Sequence, residues 1–112
     1  MNLESLTAKY PSERQSLRKL SELLRRGEHA EYTLNRLSDL VEPNSKEALA
    51  GALGELVRSG EIKFVIRVIS PRAQGGIKDF ESIEEVPDKV YDRYTDTQLE
   101  VTPENLRLLY RT

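Results

Sequence analysis

The stretch SKEALAGALGELVRSGEIKFVIRVI, Ser45 to Ile69, decides the fold. Leu49, Leu53, Leu56 and Val57 recur at the spacing of one buried helix face. Asn44 or Ser45 begins that helix, Ser45 to Ala48 bracket its first turn, and Ser59-Gly60 ends it. The period then changes. Ile62, Phe64, Ile66 and Val68 alternate with Lys63, Val65, Arg67 and Ile69, which is the pattern of a β-strand.

Toward the N-terminus, Leu34, Leu37, Leu40 and Val41 mark a second helix, with Thr33 as its cap and Pro43 closing it. Before it, Leu17, Leu20, Leu23 and Leu24 line a helix over Glu13–Arg26 that Ser12 caps and Gly27 ends. Leu3, Leu6 and Tyr10 make a short N-terminal helix or arm ahead of Pro11. Toward the C-terminus, Pro71 to Gly76 is a turn-forming run and Ile77 to Phe80 returns as a partner strand, the two glycines fitting a hairpin tip. Ser82 to Val86 form one short helical turn. Val90, Tyr91 and Tyr94 make a small apolar cluster, and Leu99 and Val101 alternate like a short strand. Thr102-Pro103-Glu104-Asn105 either caps a helix or turns the chain into a strand in which Leu106, Leu108 and Tyr110 face one way. The strand is preferred, because Arg107 and Arg111 alternate with those residues and little chain remains.

Three consecutive helices followed by a hairpin is the order of a winged helix. SKEALAGALGELVRSGEI resembles the third helix of winged-helix domains, with leucines at Leu53 and Leu56, a stop at Gly60 and an apolar Ile62 opening the first wing strand. The resemblance covers residues 13–80. It implies an α+β fold, and it fits DNA readers, RNA binders and protein-docking modules alike. FESIEEVPDKVY followed by LEVTPENLRLLY resembles bacterial winged-helix proteins that carry a small zinc-ribbon-like appendage. In that pattern Cys pairs stand in the stretches that are Ser70–Gly75 and Asp92–Thr97 here, and this chain has neither Cys nor His in them. The resemblance therefore implies a ribbon that has lost its metal, held by the packing of Phe80, Tyr91, Tyr94 and Leu99. The expected organisation is a winged helix with its N-terminal arm over residues 1–80. A small β-rich extension over 81–112 packs on it as one compact unit.

The 112 residues hold 17 Lys and Arg, 19 Asp and Glu, one His and no Cys or Trp. That length suits one domain. Without Cys there is no disulfide framework, thiolate metal site or thiol nucleophile. No apolar run approaches the roughly 20 residues a membrane helix needs, and no signal peptide is read before Glu4. The expectation is a cytoplasmic protein off the membrane, without metal or cofactor. The net charge of −2 hides a gradient. Lys9, Arg14, Arg18, Lys19, Arg25 and Arg26 make residues 1–27 basic. Lys63, Arg67, Arg72 and Lys78 do the same for 61–80, while residues 81–112 hold eight acids and four bases.

On the third helix, turning Leu49, Leu53, Leu56 and Val57 inward leaves Lys46, Glu47, Ala50, Gly51, Gly54, Glu55 and Arg58 outward. At its centre stand Ala50, Gly51 and Gly54, none of which can hydrogen-bond a base edge. Two interior glycines forfeit about 2 kcal/mol of helix propensity, so a close approach by other chain is expected to offset it. The approach is either a docked protein partner or homodimer copy on Ala50, Gly51 and Gly54, or internal packing against the N-terminal arm or C-terminal segment. Asn44, Ser45 and Lys46 can hold a DNA backbone, and Lys63, Arg67, Arg72, Gln74 and Lys78 of the wing are the further nucleic-acid candidates. His29 has no triad partner by sequence, Asp92, Asp96 and Glu100 read as solvated acids, and Glu84-Glu85 pair poorly for acid–base work. The chain is expected not to be an enzyme. Its leading expected function is a non-catalytic protein-interaction module, an adaptor of a larger bacterial assembly, with a DNA-binding transcriptional regulator as the alternative.

Overall fold

A computed structural model describes residues 1–27 and 29–112. Among them are four α-helices and six strands, all observed strand pairs being antiparallel. The fold class is α+β. The chain divides into two units, residues 1–63 with 110–112, and residues 64–109. The 80/81 boundary read from sequence falls inside the second of these, between the strand that ends at Phe80 and the turn that follows.

In the first unit, α1 (Leu3–Lys9) is capped by Asn2, whose side chain accepts from Ser5 N at 3.0 Å. A 3₁₀ turn over Pro11–Glu13 leads into α2 (Arg14–Arg25). Ser12 lies inside that turn and caps nothing; Glu13 takes the capping position, without a side-chain bond to the helix's own N–H groups. The helix gives way at Gly27, whose φ of +68° suits glycine. After β1 (Glu31–Tyr32), Thr33 Oγ1 accepts from Arg36 N at 3.1 Å and starts α3 (Leu34–Val41). Glu42 takes a left-handed φ of 50° just before Pro43. Ser45 Oγ accepts from Ala48 N at 3.2 Å at the head of α4 (Lys46–Arg58), and Gly60 at φ +79° turns the chain out of it.

These helices close around Leu6, Leu17, Leu20, Leu37, Val41, Leu49, Ala52, Leu53, Leu56 and Ile62. Burying each leucine contributes about 1.5–3 kcal/mol, so this cluster supplies most of what holds the unit. Ala52 is fully buried beside the leucines expected there. β1 pairs with the end of the last strand, in the register Glu31↔Arg111 and Tyr32↔Tyr110, reinforced by an Arg111–Glu31 ion pair at 2.8 Å.

In the second unit, β2 (Lys63–Ile69) pairs with β3 (Gly76–Phe80) through Ile66↔Phe80, Arg67↔Asp79 and Val68↔Lys78. On its other side β2 adjoins β6 (Leu106–Arg111), which leaves β3 at the end of the strand order. Val65 and Ile69, read as the opposite side of the apolar set, are buried along with Ile66 and Val68, so β2 is covered on both faces. A 3₁₀ turn over Ile83–Glu85 precedes a separate hairpin, β4 (Lys89–Asp92) with β5 (Thr97–Glu100). The ambiguous final segment is a turn and a strand in succession. Pro103–Asn105 form a 3₁₀ turn, with Asn105 Oδ1 accepting from Thr102 N at 3.2 Å, and β6 follows. Leu106 and Tyr110 are half-buried, whereas Leu108 between them is 52% exposed.

Candidate functional site

The head of α4 is built around a buried acid. Glu13, 2% exposed, accepts from Asn44 N at 3.0 Å, from Ser45 N at 2.9 Å and from Ser16 Oγ at 2.9 Å. Two backbone donors just ahead of α4 are thus satisfied by a carboxylate at the head of α2, a charge-assisted arrangement that fixes one helix start on the other. The Asn44 side chain donates to Ser12 O, the Lys46 ammonium donates to Asn35, and Ser45 is spent as the cap. All three polar residues proposed to hold a DNA backbone from this helix therefore have intramolecular partners. Sequence reasoning missed Glu13, and only a charged residue falling where a helix face turns inward hinted at it.

Along the middle of α4, Tyr10 from the N-terminal arm sits against Gly51. A β-carbon at Gly51 would lie 2.5 Å from Tyr10 Oη and 3.2 Å from its Cζ. Gly54 is different. Its nearest neighbour to such a carbon is Arg58 Nη1, at 3.7 Å, within the same helix. Ala50, Gly51 and Gly54 are each partly covered. Lys9, one residue before Tyr10, pairs with Glu55, and that carboxylate holds the lysine's pKa above its ordinary value.

In the second unit, Arg67 makes a two-pronged ion pair with Asp79, Nε–Oδ1 at 2.7 Å and Nη2–Oδ2 at 2.9 Å. Gln74 adopts a φ of 58° and its amide donates to Pro71 O at 2.8 Å, while Lys78 Nζ lies 5.4 Å from the centre of the Phe80 ring. Arg72 is exposed, as is Lys63 at the end of the first unit. Neither Gly75 nor Gly76 has a positive φ. They are glycines for want of room: a β-carbon would lie 2.5 Å from Tyr94 Oη at Gly75 and 2.8 Å from Arg67 Cδ at Gly76.

The two stretches where a zinc ribbon carries its Cys pairs do meet. Ser70 Oγ donates to Asp92 Oδ2 at 2.7 Å, and both residues are almost wholly buried. Tyr94 N donates to Asp92 Oδ1 at 2.9 Å, and Ser70 N and O close the turn with Gly75 O at 2.9 Å and Gln74 N at 2.8 Å. Asp92 is therefore not the solvated acid the sequence suggested. Burial pushes its carboxyl up, but bonds from Ser70, the Tyr94 backbone and Thr95 outweigh that and hold it below the ordinary value. A hydroxyl and a carboxylate already satisfied by each other do not fit a thiolate zinc site. Nor do the aromatics form a packed interior as expected. Tyr91 is 52% and Tyr94 47% exposed, and the Tyr91 hydroxyl donates to Asp96, whose carboxylate raises the phenol's pKa.

His29, Glu84, Glu85 and Glu100 are exposed. Among the described residues no group of three His, Cys, Asp or Glu gathers to hold a metal, and no helix is long and apolar enough to cross a membrane. The large apolar side chains that stand exposed are Ile83, Tyr91, Tyr94 and Leu108, and all four belong to the second unit. Compared with family models, curated proteins and solved structures, the chain matches none.

Proposed function

We propose that the chain is a non-catalytic protein-interaction module of winged-helix type, serving as an adaptor in a larger bacterial assembly. The order α2, β1, α3, α4, β2, β3 supports the winged-helix reading, with three helices leading into an antiparallel pair. The observation that carries the function is Tyr10 seated on Gly51. The face that a DNA reader presents to the major groove is here partly taken by the chain's own N-terminal arm, and its centre has no base-reading side chain. Tyr91 and Tyr94, exposed on the second unit, are of the residue type enriched where protein partners dock.

Titration of the full chain with double-stranded DNA at low salt tests this against the regulator alternative. The expected result is weak binding at most. Tight binding that falls steeply with added salt would overturn the proposal, because that slope counts phosphate contacts.

A further inference from the structure

An open groove of about 380 Å³ lies within the second unit between β3 and β4. Ile77 and Lys78 line one side, Lys89, Val90 and Tyr91 the other, and Pro87 and Arg93 complete the wall. The lining holds three cations and no acid, although residues 64–109 as a whole carry nine acids against six bases. Of the neighbouring acids, Asp79 pairs with Arg67 and Asp92 with Ser70, while Asp96 accepts from the hydroxyl of Tyr91 at the rim and Glu100 stands opposite Lys89 across the β4–β5 pair. Asp88 is exposed beside Lys89 but outside the lining. Arg93 is fixed in place. It donates to Ile77 O at 3.0 Å and to Gly76 O at 2.9 Å, and lies 4.8 Å from the Tyr94 ring centre. β3 is the terminal strand of its sheet, and with Arg93 on the carbonyls of Gly76 and Ile77 the stretch Lys78–Phe80 is what it offers a further strand.

We propose that this groove binds an acidic peptide in extended conformation, laid alongside β3. The proposal rests on the interaction-module reading and names the class of partner. Peptides added to a terminal strand gain affinity from main-chain hydrogen bonds and selectivity from alternate side chains. Ile77 offers an apolar contact for one set of alternate side chains, while Lys78, Lys89 and Arg93 complement carboxylates on the other. A nucleic acid fits less well. Its phosphates need a continuing basic track, and beyond the groove this unit is predominantly acidic.

The test is an array of heptamer peptides in which Glu alternates with Val, Ile, Leu or Tyr, probed with the full chain. Matched arrays carry Lys for Glu, or a central Pro that cannot join a ladder. Retention of acidic heptamers, but of neither matched set, is expected. Fluorescence anisotropy with the best acidic heptamer then reads Lys78→Glu and Lys89→Glu. Each should weaken binding by about tenfold and flatten its salt dependence. Lys89→Gln serves if a reversal disturbs the circular dichroism spectrum. The proposal is overturned if no acidic heptamer is retained, if the Lys set binds equally, or if both reversals leave affinity unchanged. Tighter binding of single-stranded oligothymidine would overturn it too. Failure of the peptide assay alone removes this partner class, whereas the interaction-module reading falls only on tight duplex-DNA binding.

Discussion

Gly51 and Gly54 are three residues apart on one helix, and the same substitution should have opposite consequences at the two. Replacing an interior helical glycine by alanine gains about 0.8–1 kcal/mol of propensity. At Gly54 the new methyl meets only Arg58 Nη1 at 3.7 Å, ordinary contact, so Gly54→Ala should realise that gain in full. At Gly51 the methyl would stand 2.5 Å from Tyr10 Oη and 3.2 Å from Cζ, and the ring must move. Overpacking of this kind costs about 1–3 kcal/mol, so Gly51→Ala should range from neutral to about 2 kcal/mol destabilising. With Tyr10→Ala already in place the obstruction is gone, and Gly51→Ala should then stabilise like its neighbour. That double-mutant cycle isolates the Tyr10–Gly51 contact. Urea unfolding followed by the far-ultraviolet helix signal is the assay, since all four helices belong to the first unit. A Gly51→Ala midpoint raised as much as that of Gly54→Ala, with Tyr10 intact, would show that the arm does not pack on α4.

Glu13→Ala strips the acceptor from two backbone N–H groups and a serine hydroxyl. It should cost about 2–4 kcal/mol in the same unfolding experiment. Glu13→Gln, which retains one acceptor oxygen, should lose less, and equal losses would show that the contact matters by volume alone. Asp92 predicts an acid response. Its carboxyl is depressed in the folded protein, so the unfolded chain takes up the proton first as pH falls. The stability it contributes is complete above the ordinary carboxylate pKa of about 3.9 and is lost as pH drops through the folded value. Asp92→Asn should therefore show a shallower decline in urea midpoint between neutral and acid pH than the natural chain. Parallel declines would mean that the Ser70–Asp92 bond has no linkage to folding.

What the sequence made legible was local. Thr33 and Ser45 cap the helices they were expected to cap, because a cap is decided within four residues. Gly27 and Gly60 end helices for the same reason, through a backbone conformation that glycine adopts without strain. Most of the misses involve partners distant in the chain. Ser12 looked like a cap until Glu13, whose own partners are Asn44 and Ser45, took its place. Asp92 looked solvated because nothing beside it in sequence reveals Ser70. β1 left no trace, since a strand of two residues has no period to read. Ala50, Gly51 and Gly54 read from sequence as one side-chain-poor face, but which glycine an arm would cover depended on where Tyr10 came to rest. The groove between β3 and β4 was invisible because its cations sit in separate segments, each ordinary by itself.

The pairing of Glu31 with Arg111 sets a schedule for the newborn chain. A ribosome releases residues at about 5–20 per second, N-terminus first. The four helices of the first unit emerge early, yet the strand that completes β1 is made only after the whole of the second unit. Until then Ala30 also lacks Thr112, its backbone partner across the same edge. The early unit waits with one edge open, so an interruption of synthesis in the second unit would leave an exposed sheet margin in the first.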